Sequence, residues 1–477
     1  MSKGEITMSV EFDCMSAIEM RRRIRKKEIS PVDVTKRALE AAESSQSTLN
    51  AFFRLMPESA LSAAVAAEEA LMKGQPLGLL HGIPFSAKDL MAVAGVTYAS
   101  GSRAMADNVA TVDAPAVERA RAAGAILIGK TTTSEFGCKP VGDSPLTGVT
   151  RNPWNLEKTP GGSSAGAVAS VAAGITPFAL GTDGGGSIRI PCSFTGLAGI
   201  KGHFGRVPVW PTSATPTLAH VGPIARSIQD AALLFTAVSG YDSRDPFSVA
   251  GPLPDVLGAS QATAACLRVA YSPTLGYARP DAAVLKVVDQ AVQRLEALGC
   301  NVEIVEKVFE TDPAEIWTAE FYAGVGIRLR SFVENQRHLL DSAVAEVLDA
   351  ALAQNMRSYY EKVFERYVFR EKMRLFFEDY DILVSPVLPV SSLNVGLNMP
   401  PHLADRNLVS WVYYTYPFNL TGQPAATVCA GLADDGMPVG LQIVGRALDE
   451  YNVVRVAAAY ERTQPSGYNL APMLKIH

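Results

Sequence analysis

The stretch from Ser164 to Pro191 limits the architecture more than any other. A helical run from Ser164 to Ala173 leads at once into a buried apolar strand, Ile175 to Leu180. That strand breaks into Gly181-Thr182-Asp183-Gly184-Gly185-Gly186-Ser187-Ile188-Arg189-Ile190-Pro191. The same rhythm occurs upstream, where Ala116 to Ala123 reads as a helix closed by Gly124 and Ala125 to Gly129 as a short strand running into Lys130-Thr131-Thr132-Thr133. Such alternation predicts an α/β sheet with helices on both faces, in one large domain or two closely packed ones, and leaves mixed strand directions open.

Other elements fit that frame. Ser30-Pro31-Val32-Asp33 combines a capping serine, a proline at the first helical position and an acid three residues after the cap, predicting a helix to about Ser44. Asp281 to Gly299 is an amphipathic helix between strands at Leu267–Tyr271 and Val302–Val305. Residues 313–380 show long helical periodicity rich in aromatics and predict a helical insertion that covers a pocket, although any single aromatic there reads first as helix core. Strands are predicted again at Asp381–Pro386, Ala425–Val428 and Val439–Gly445. The expected layout is an N-terminal helical segment over residues 1–70 and an α/β domain over 71–477, with the insertion at about 313–380.

Composition narrows the function classes. With 477 residues, 48% hydrophobic and 19% charged, the chain has ample material for a large core. Forty-three basic against 48 acidic side chains leave a formal charge of −5, which argues against a surface that neutralises phosphates, so no nucleic-acid partner is expected. The one basic run, Arg21-Arg22-Arg23-Ile24-Arg25-Lys26-Lys27, falls where an N-terminal helix would end and reads as a solvated helix terminus. Ala165 to Gly181 is too short and too interrupted to cross a membrane. The six cysteines have no paired spacing and no secretory leader precedes them, so reduced thiols in a cytoplasmic protein are expected. His81, His203, His220, His338, His402 and His477 are isolated, so no metal and no cofactor is expected.

The chemistry is carried by three short pieces. In Gly181–Pro191 a serine ends a run of three glycines, where the backbone amides of Gly184, Gly185, Gly186 and Ser187 can crowd around one developing oxyanion. Upstream lie Gly161-Gly162-Ser163-Ser164-Ala165-Gly166 and Ala87-Lys88-Asp89. A serine hydroxyl needs a base within hydrogen-bond reach, and no histidine has a recognisable triad setting, which leaves Lys88. To act as a base it must be neutral. Lowering a pKa from about 10.4 to about 7 costs roughly 4–5 kcal/mol of differential solvation, the kind of shift burial produces. A buried Lys88 and activity rising toward alkaline pH are therefore expected. Asp183 and Arg189 read as an ion pair across the turn which, with Ser164, supports the loop without taking part in chemistry.

The chain resembles the amidase signature family. The resemblance rests on Leu80-His81-Gly82-Ile83-Pro84 leading to Lys88-Asp89, Thr150-Arg151-Asn152-Pro153-Trp154 before Gly161-Gly162-Ser163-Ser164, the Gly181–Pro191 strip, and Gly440-Leu441-Gln442-Ile443-Val444-Gly445. It spans about residues 30–460. It implies a single α/β domain around a mixed sheet and a Ser-cisSer-Lys triad of Ser187 as nucleophile, Ser163 as bridging serine behind a cis peptide, and Lys88 as base. It implies hydrolysis of a small-molecule carboxylic amide through an acyl-enzyme, with carbamates and esters also accessible, and a possible homodimer. Family members often carry a side chain where this sequence has Gly184.

Three rival readings are open to this sequence. A phosphate cradle lacks the Gly-Lys-Ser/Thr ending and has Arg189 where a helix N-terminus is wanted. A non-catalytic scaffold is disfavoured by the presence of all three catalytic positions. The closest rival is the glutamine-hydrolysing A subunit of a tRNA-dependent amidotransferase complex, whose strip usually continues Ser-Ile-Arg-Gln-Pro, whereas Ile190 precedes Pro191 here. Specificity is expected from Cys138–Leu146, the aromatic-rich helices and Trp411–Tyr416, favouring an apolar or aryl group.

Overall fold

In the computed structural model, residues 12–465 and 467–475 are described; His477 and the start of the N-terminal segment lie outside them. Thirteen strands are found among the described residues: β1 (Phe52–Leu55), β2 (Pro84–Lys88), β3 (Ile126–Thr131), β4 (Asp143–Ser144), β5 (Gly148–Val149), β6 (Phe178–Asp183), β7 (Ala198–Lys201), β8 (His220–Ala225), β9 (Arg268–Tyr271), β10 (Asn301–Ile304), β11 (Ile382–Pro386), β12 (Ala425–Leu432) and β13 (Pro438–Gly445). β4 and β5 form a small separate hairpin. The other eleven form one sheet in the order β1-β3-β2-β6-β8-β7-β12-β13-β11-β9-β10.

The sheet is mixed: β2 runs parallel to β3 and β6, the middle strands are antiparallel, and β11, β9 and β10 are parallel again. Its two faces feed different cores because side chains alternate along a strand. Phe85, Ala87, Phe178, Leu180, Ile200, Val428 and Leu441 point into one core, shared with the Ile228–Val238, Ala282–Ala297 and Glu450–Glu461 helices. Ala270, Leu383, Ala425 and Val444 point into the other, shared with the Ala314–Asn335, Ser342–Leu352 and Met356–Asp379 helices of the insertion.

Two features position the site. β2 and β6 are parallel neighbours in register, Ala87 opposite Leu180, so Lys88 and the glycine strip leave the sheet at the same edge. Substrates of open α/β sheets bind outside such carboxyl ends. The Ala165–Ala172 helix is buried on every side and made of small residues. At Gly166 a Cβ would lie 2.1 Å from the Ala51 carbonyl oxygen, so only glycine lets the helix come this close to the β1 strand's approach.

Several boundaries differ from the sequence reading. The helix from Pro31 runs to Leu49, past the expected end at Ser44, and stops where Asn50 turns left-handed; Gln46 clips the turn by bonding both the N–H and the C=O of Phe52. The first 70 residues are not purely helical, because they supply edge strand β1. The strand expected at Ile175 starts at Phe178, after Pro177, and continues to Asp183. β7 and β8 have no sequence-level forecast: β8 reads His-Val-Gly-Pro-Ile-Ala, whose glycine and proline disguise a central strand. The basic run does end a helix, Ala17–Arg25, with Arg22 paired to Glu19 and Glu28. All six cysteines are free thiols. Among the described residues no helix is long and apolar enough to cross a membrane.

Candidate active site

Lys88 is the last residue of β2 and its side chain is fully buried. Its Nζ donates to Ser163 Oγ at 2.6 Å and to Thr182 Oγ1 at 2.8 Å. Burial pushes the ammonium well below its ordinary value of 10.5, with the Asp183 carboxylate pulling the other way. The balance favours a neutral amine at a far lower pH than a surface lysine allows.

Ser163 stands in the loop that enters the Ala165–Ala172 helix, and the Gly162–Ser163 peptide is cis. The loop is held by Thr159, whose hydroxyl oxygen accepts from the amides of Gly142 and Gly161 at 3.0 and 3.2 Å. A Cβ on Gly162 would lie 2.3 Å from the Val141 oxygen, and one on Gly137 would lie 3.2 Å from Ser163 Oγ, so two glycines make room for the serine. Ser164 clamps β6 by donating to the Thr182 oxygen at 3.2 Å and accepting from its N–H at 3.3 Å.

Ser187 lines the same cavity as Ser163 and is partly exposed to it. No hydrogen bond of its hydroxyl is found among the described residues. The loop that carries it is pinned from several directions. Trp317 Nε1 donates to the Gly184 oxygen at 2.8 Å and Thr415 Oγ1 to the Gly185 oxygen at 2.6 Å. A trans peptide sets its N–H opposite its C=O, so these two bonds fix where the amides of Gly185 and Gly186 point. The Gly186 amide, expected among the oxyanion donors, instead donates to Asp183 Oδ1 at 2.8 Å. This takes Gly186 out of the four expected donors, because its N–H is already satisfied by the Asp183 carboxylate, and leaves the amides of Gly184, Gly185 and Ser187 as candidates. Gly186 has φ +136°, a backbone state that L side chains rarely adopt.

Asp183 and Arg189 form the buried ion pair, with contacts of 2.9 and 3.0 Å. Arg189 also donates to the Thr415 oxygen, Gln442 Oε1 and Asn419 Oδ1 at 2.8, 2.7 and 2.6 Å, which uses all five of its N–H donors. Burial penalises the Asp183 charge, but Arg189 outweighs it and holds the carboxyl below the ordinary range. His220 reaches the cavity wall, but its Nδ1 lies 2.8 Å from the Leu218 oxygen and burial drives it toward the neutral form.

The cavity has a volume of about 370 Å³. Its floor is Ser163, Thr182, Gly184 and Ser187, and its walls are the loops at 98–108, 136–137 and 208–215 and the face of the Ala314–Asn335 helix that carries Phe321, Val325, Leu329 and Phe332. The expected specificity segments are only partly there. The insertion contributes, but Cys138–Leu146 gives way to its neighbours Phe136 and Gly137. Trp411–Tyr416 is packed in the core, where it steadies the glycine loop through Thr415. Sequence reading placed Trp317 in the insertion and Thr415 in a specificity segment but missed their part, and that of Thr182, in holding the site; only Thr182, inside the glycine strip, had a local signal.

Similarity to known proteins identifies the family. A family model described as Amidase matches residues 33–454. The chain is 35% identical to an acylamidase of Rhodococcus erythropolis, over 94% of this chain and 96% of that protein. It is 32% identical to the A subunit of the glutamyl-tRNA(Gln) amidotransferase of Geobacter metallireducens, over 93% and 96%. Among solved structures, a bacterial aryl acylamidase of the amidase signature enzymes superposes with TM-score 0.90 at 29% identity, covering 96% of this chain and 98% of that one. A buried lysine beside a serine hydroxyl, at the carboxyl ends of two parallel strands and under a family match that spans the sheet, places the chain in the amidase signature family of C–N bond hydrolases.

Proposed function

We propose that this enzyme hydrolyses an apolar or aryl carboxylic amide through an ester of Ser187, with Ser163 and Lys88 completing a Ser-cisSer-Lys triad. The observation that carries the proposal is the fully buried Lys88 amine 2.6 Å from Ser163 Oγ. With Lys88 neutral, Ser163 passes its proton to the amine and takes one from Ser187, whose oxygen attacks the amide carbon. The carbonyl becomes an oxyanion that the amides of Gly184, Gly185 and Ser187 stabilise; loss of one such donor typically costs about 10²–10³ in rate. Ser163 then returns a proton to the leaving amine, and water attacks the ester by the reverse relay and frees the acid. Thr182, which accepts a hydrogen bond from Lys88, keeps the amine aimed at Ser163.

The preference for apolar or aryl groups is supported by the wall of Met105, Phe136, Phe321, Val325, Leu329 and Phe332, and by the names of the acylamidase relatives. Carbamates and esters are open to the same chemistry. The test is intact-protein mass after phenylmethylsulfonyl fluoride: one adduct on wild type, none on Ser187→Ala and slow labelling of Lys88→Ala are expected. An adduct that persists in Ser187→Ala would remove Ser187 from its role.

The glutamine-hydrolysing amidotransferase component is the second reading, favoured by the relatives of that name. Against it stands Ile190, 2% exposed in the apolar core beneath the glycine loop, where the usual residue of that component is glutamine. Aryl-amide turnover by the purified chain supports the stand-alone enzyme, whereas glutamine turnover only with a partner supports the amidotransferase reading.

A further inference from the structure

The charge inside the cavity is unevenly distributed. Asp183 is neutralised by Arg189, His220 is driven neutral by burial, and Lys88 below the floor is pushed toward its neutral amine. The remaining cation on the wall is Arg328, an exposed residue for which no hydrogen-bond or ion-pair partner is found among the described residues. Its charge is felt at the Tyr98 phenol, on another wall of the same cavity. No unpaired carboxylate lines the cavity among the described residues.

The position of Arg328 along its helix gives a ruler. Phe321, Val325, Arg328, Leu329 and Phe332 follow the i, i+4, i+7, i+8, i+11 spacing that puts side chains on one stripe. Phe321 marks the inner end, since a Cβ on Gly184 would lie 2.9 Å from its ring. Seven residues further, at about 1.5 Å each, Arg328 stands about 10 Å outward along the axis. Between them the stripe is apolar. The absence of a side chain at Gly184 is what admits the Phe321 ring beside the reacting loop.

Resting on the amide-hydrolase reading above, we propose that the enzyme selects amides whose apolar body lies along this stripe and ends in a carboxylate held by Arg328, whose Cα stands about 10 Å along the helix from that of Phe321. A guanidinium presents a planar fork that matches a carboxylate, and its exposure keeps the gain modest.

The experiment compares mono-anilides of straight-chain dicarboxylic acids of increasing length with their terminal carboxamides, and the reversed series with the carboxylate on the amine side. The readout is the kcat/KM ratio of charged to neutral partner. In at least one series the wild type favours the carboxylate by about two- to fivefold, with a maximum at one chain length. The ratio falls to about one in Arg328→Gln and inverts in Arg328→Glu; because the side chain is exposed, both variants should fold. A wild-type ratio near one at every length, or a preference that survives Arg328→Gln, overturns the proposal. Failure to hydrolyse the neutral carboxamides and the carboxylates alike, in protein that also resists sulfonyl fluoride, instead brings down the hydrolase reading on which it rests.

Discussion

Thr415→Val tests whether the glycine loop is aimed from behind. The Thr415 hydroxyl donates to the Gly185 oxygen at 2.6 Å, and valine replaces that hydroxyl with a methyl of similar size. A carbon approaches a carbonyl oxygen to only about 3.3 Å, so the Gly185–Gly186 peptide must retreat by about 0.7 Å. The same peptide carries the N–H that Asp183 holds at 2.8 Å, and Ser187 is the next residue. Misplacing reacting groups by about 1 Å costs on the order of 10²-fold, about 2.7 kcal/mol in the barrier. Steady-state kinetics with an aryl amide should show most of that loss in kcat, because the cavity walls that bind the substrate body are untouched. Thr415→Ser keeps the hydroxyl and should stay within about fivefold of wild type. If Thr415→Val folds, as judged by circular dichroism, and still turns over within about threefold of wild type, the loop is not positioned by this bond and the reasoning is wrong.

Other perturbations follow from the same geometry. On the proposed mechanism only neutral Lys88 accepts a proton, and since its pKa is lowered from 10.5, kcat/KM should rise with pH and level off well below 10.5; a profile still climbing steeply at about pH 10 contradicts a buried base. Gly186→Ala places a Cβ 2.3 Å from Thr415 Oγ1 at φ +136°, and should cut sulfonyl fluoride labelling of Ser187 by more than about 10²-fold, measured by mass spectrometry. Arg189→Met leaves the fully buried Asp183 charge without its partner and should cost about 3–5 kcal/mol in denaturant unfolding. The Asp183→Asn, Arg189→Met double variant should recover part of that loss, and equal stability of single and double variants would deny the coupling.

How much could be read beforehand depended on how local each signal was. Lys88, Ser163, Asp183, Ser187 and Arg189 sit in short motifs whose glycines announce a backbone task, and the structure brings Lys88 to Ser163 and Asp183 to Arg189. The alternation of helix and strand pointed to the α/β class. It did not point to β8, because Gly222 and Pro223 carry no strand signal of their own and are tolerated only through the pairing of β8 with β6 and β7. Trp317 and Thr415 were illegible as loop supports, since their partners lie 133 and 230 residues away in sequence. Trp411–Tyr416 misled for a related reason: aromatic density marks burial, and only the fold decides whether the buried face is a core or a pocket. The Gly186 donor was misassigned because a run of glycines says that amides can approach an anion, not which anion reaches them first.

The five bonds of Arg189 have a bearing on how the enzyme is made. They gather residue 183 with residues 415, 419 and 442, so the arginine cannot be fully engaged until residue 442 has been made. During synthesis the lysine and both serines leave the ribosome long before the groups that orient the glycine loop. A nascent chain stalled before residue 415 would hold every reactive group and still lack the means to aim them. On the proposed mechanism, hydrolytic competence thus waits until β13 has been made and the glycine loop closes around a serine that was complete in sequence but inert.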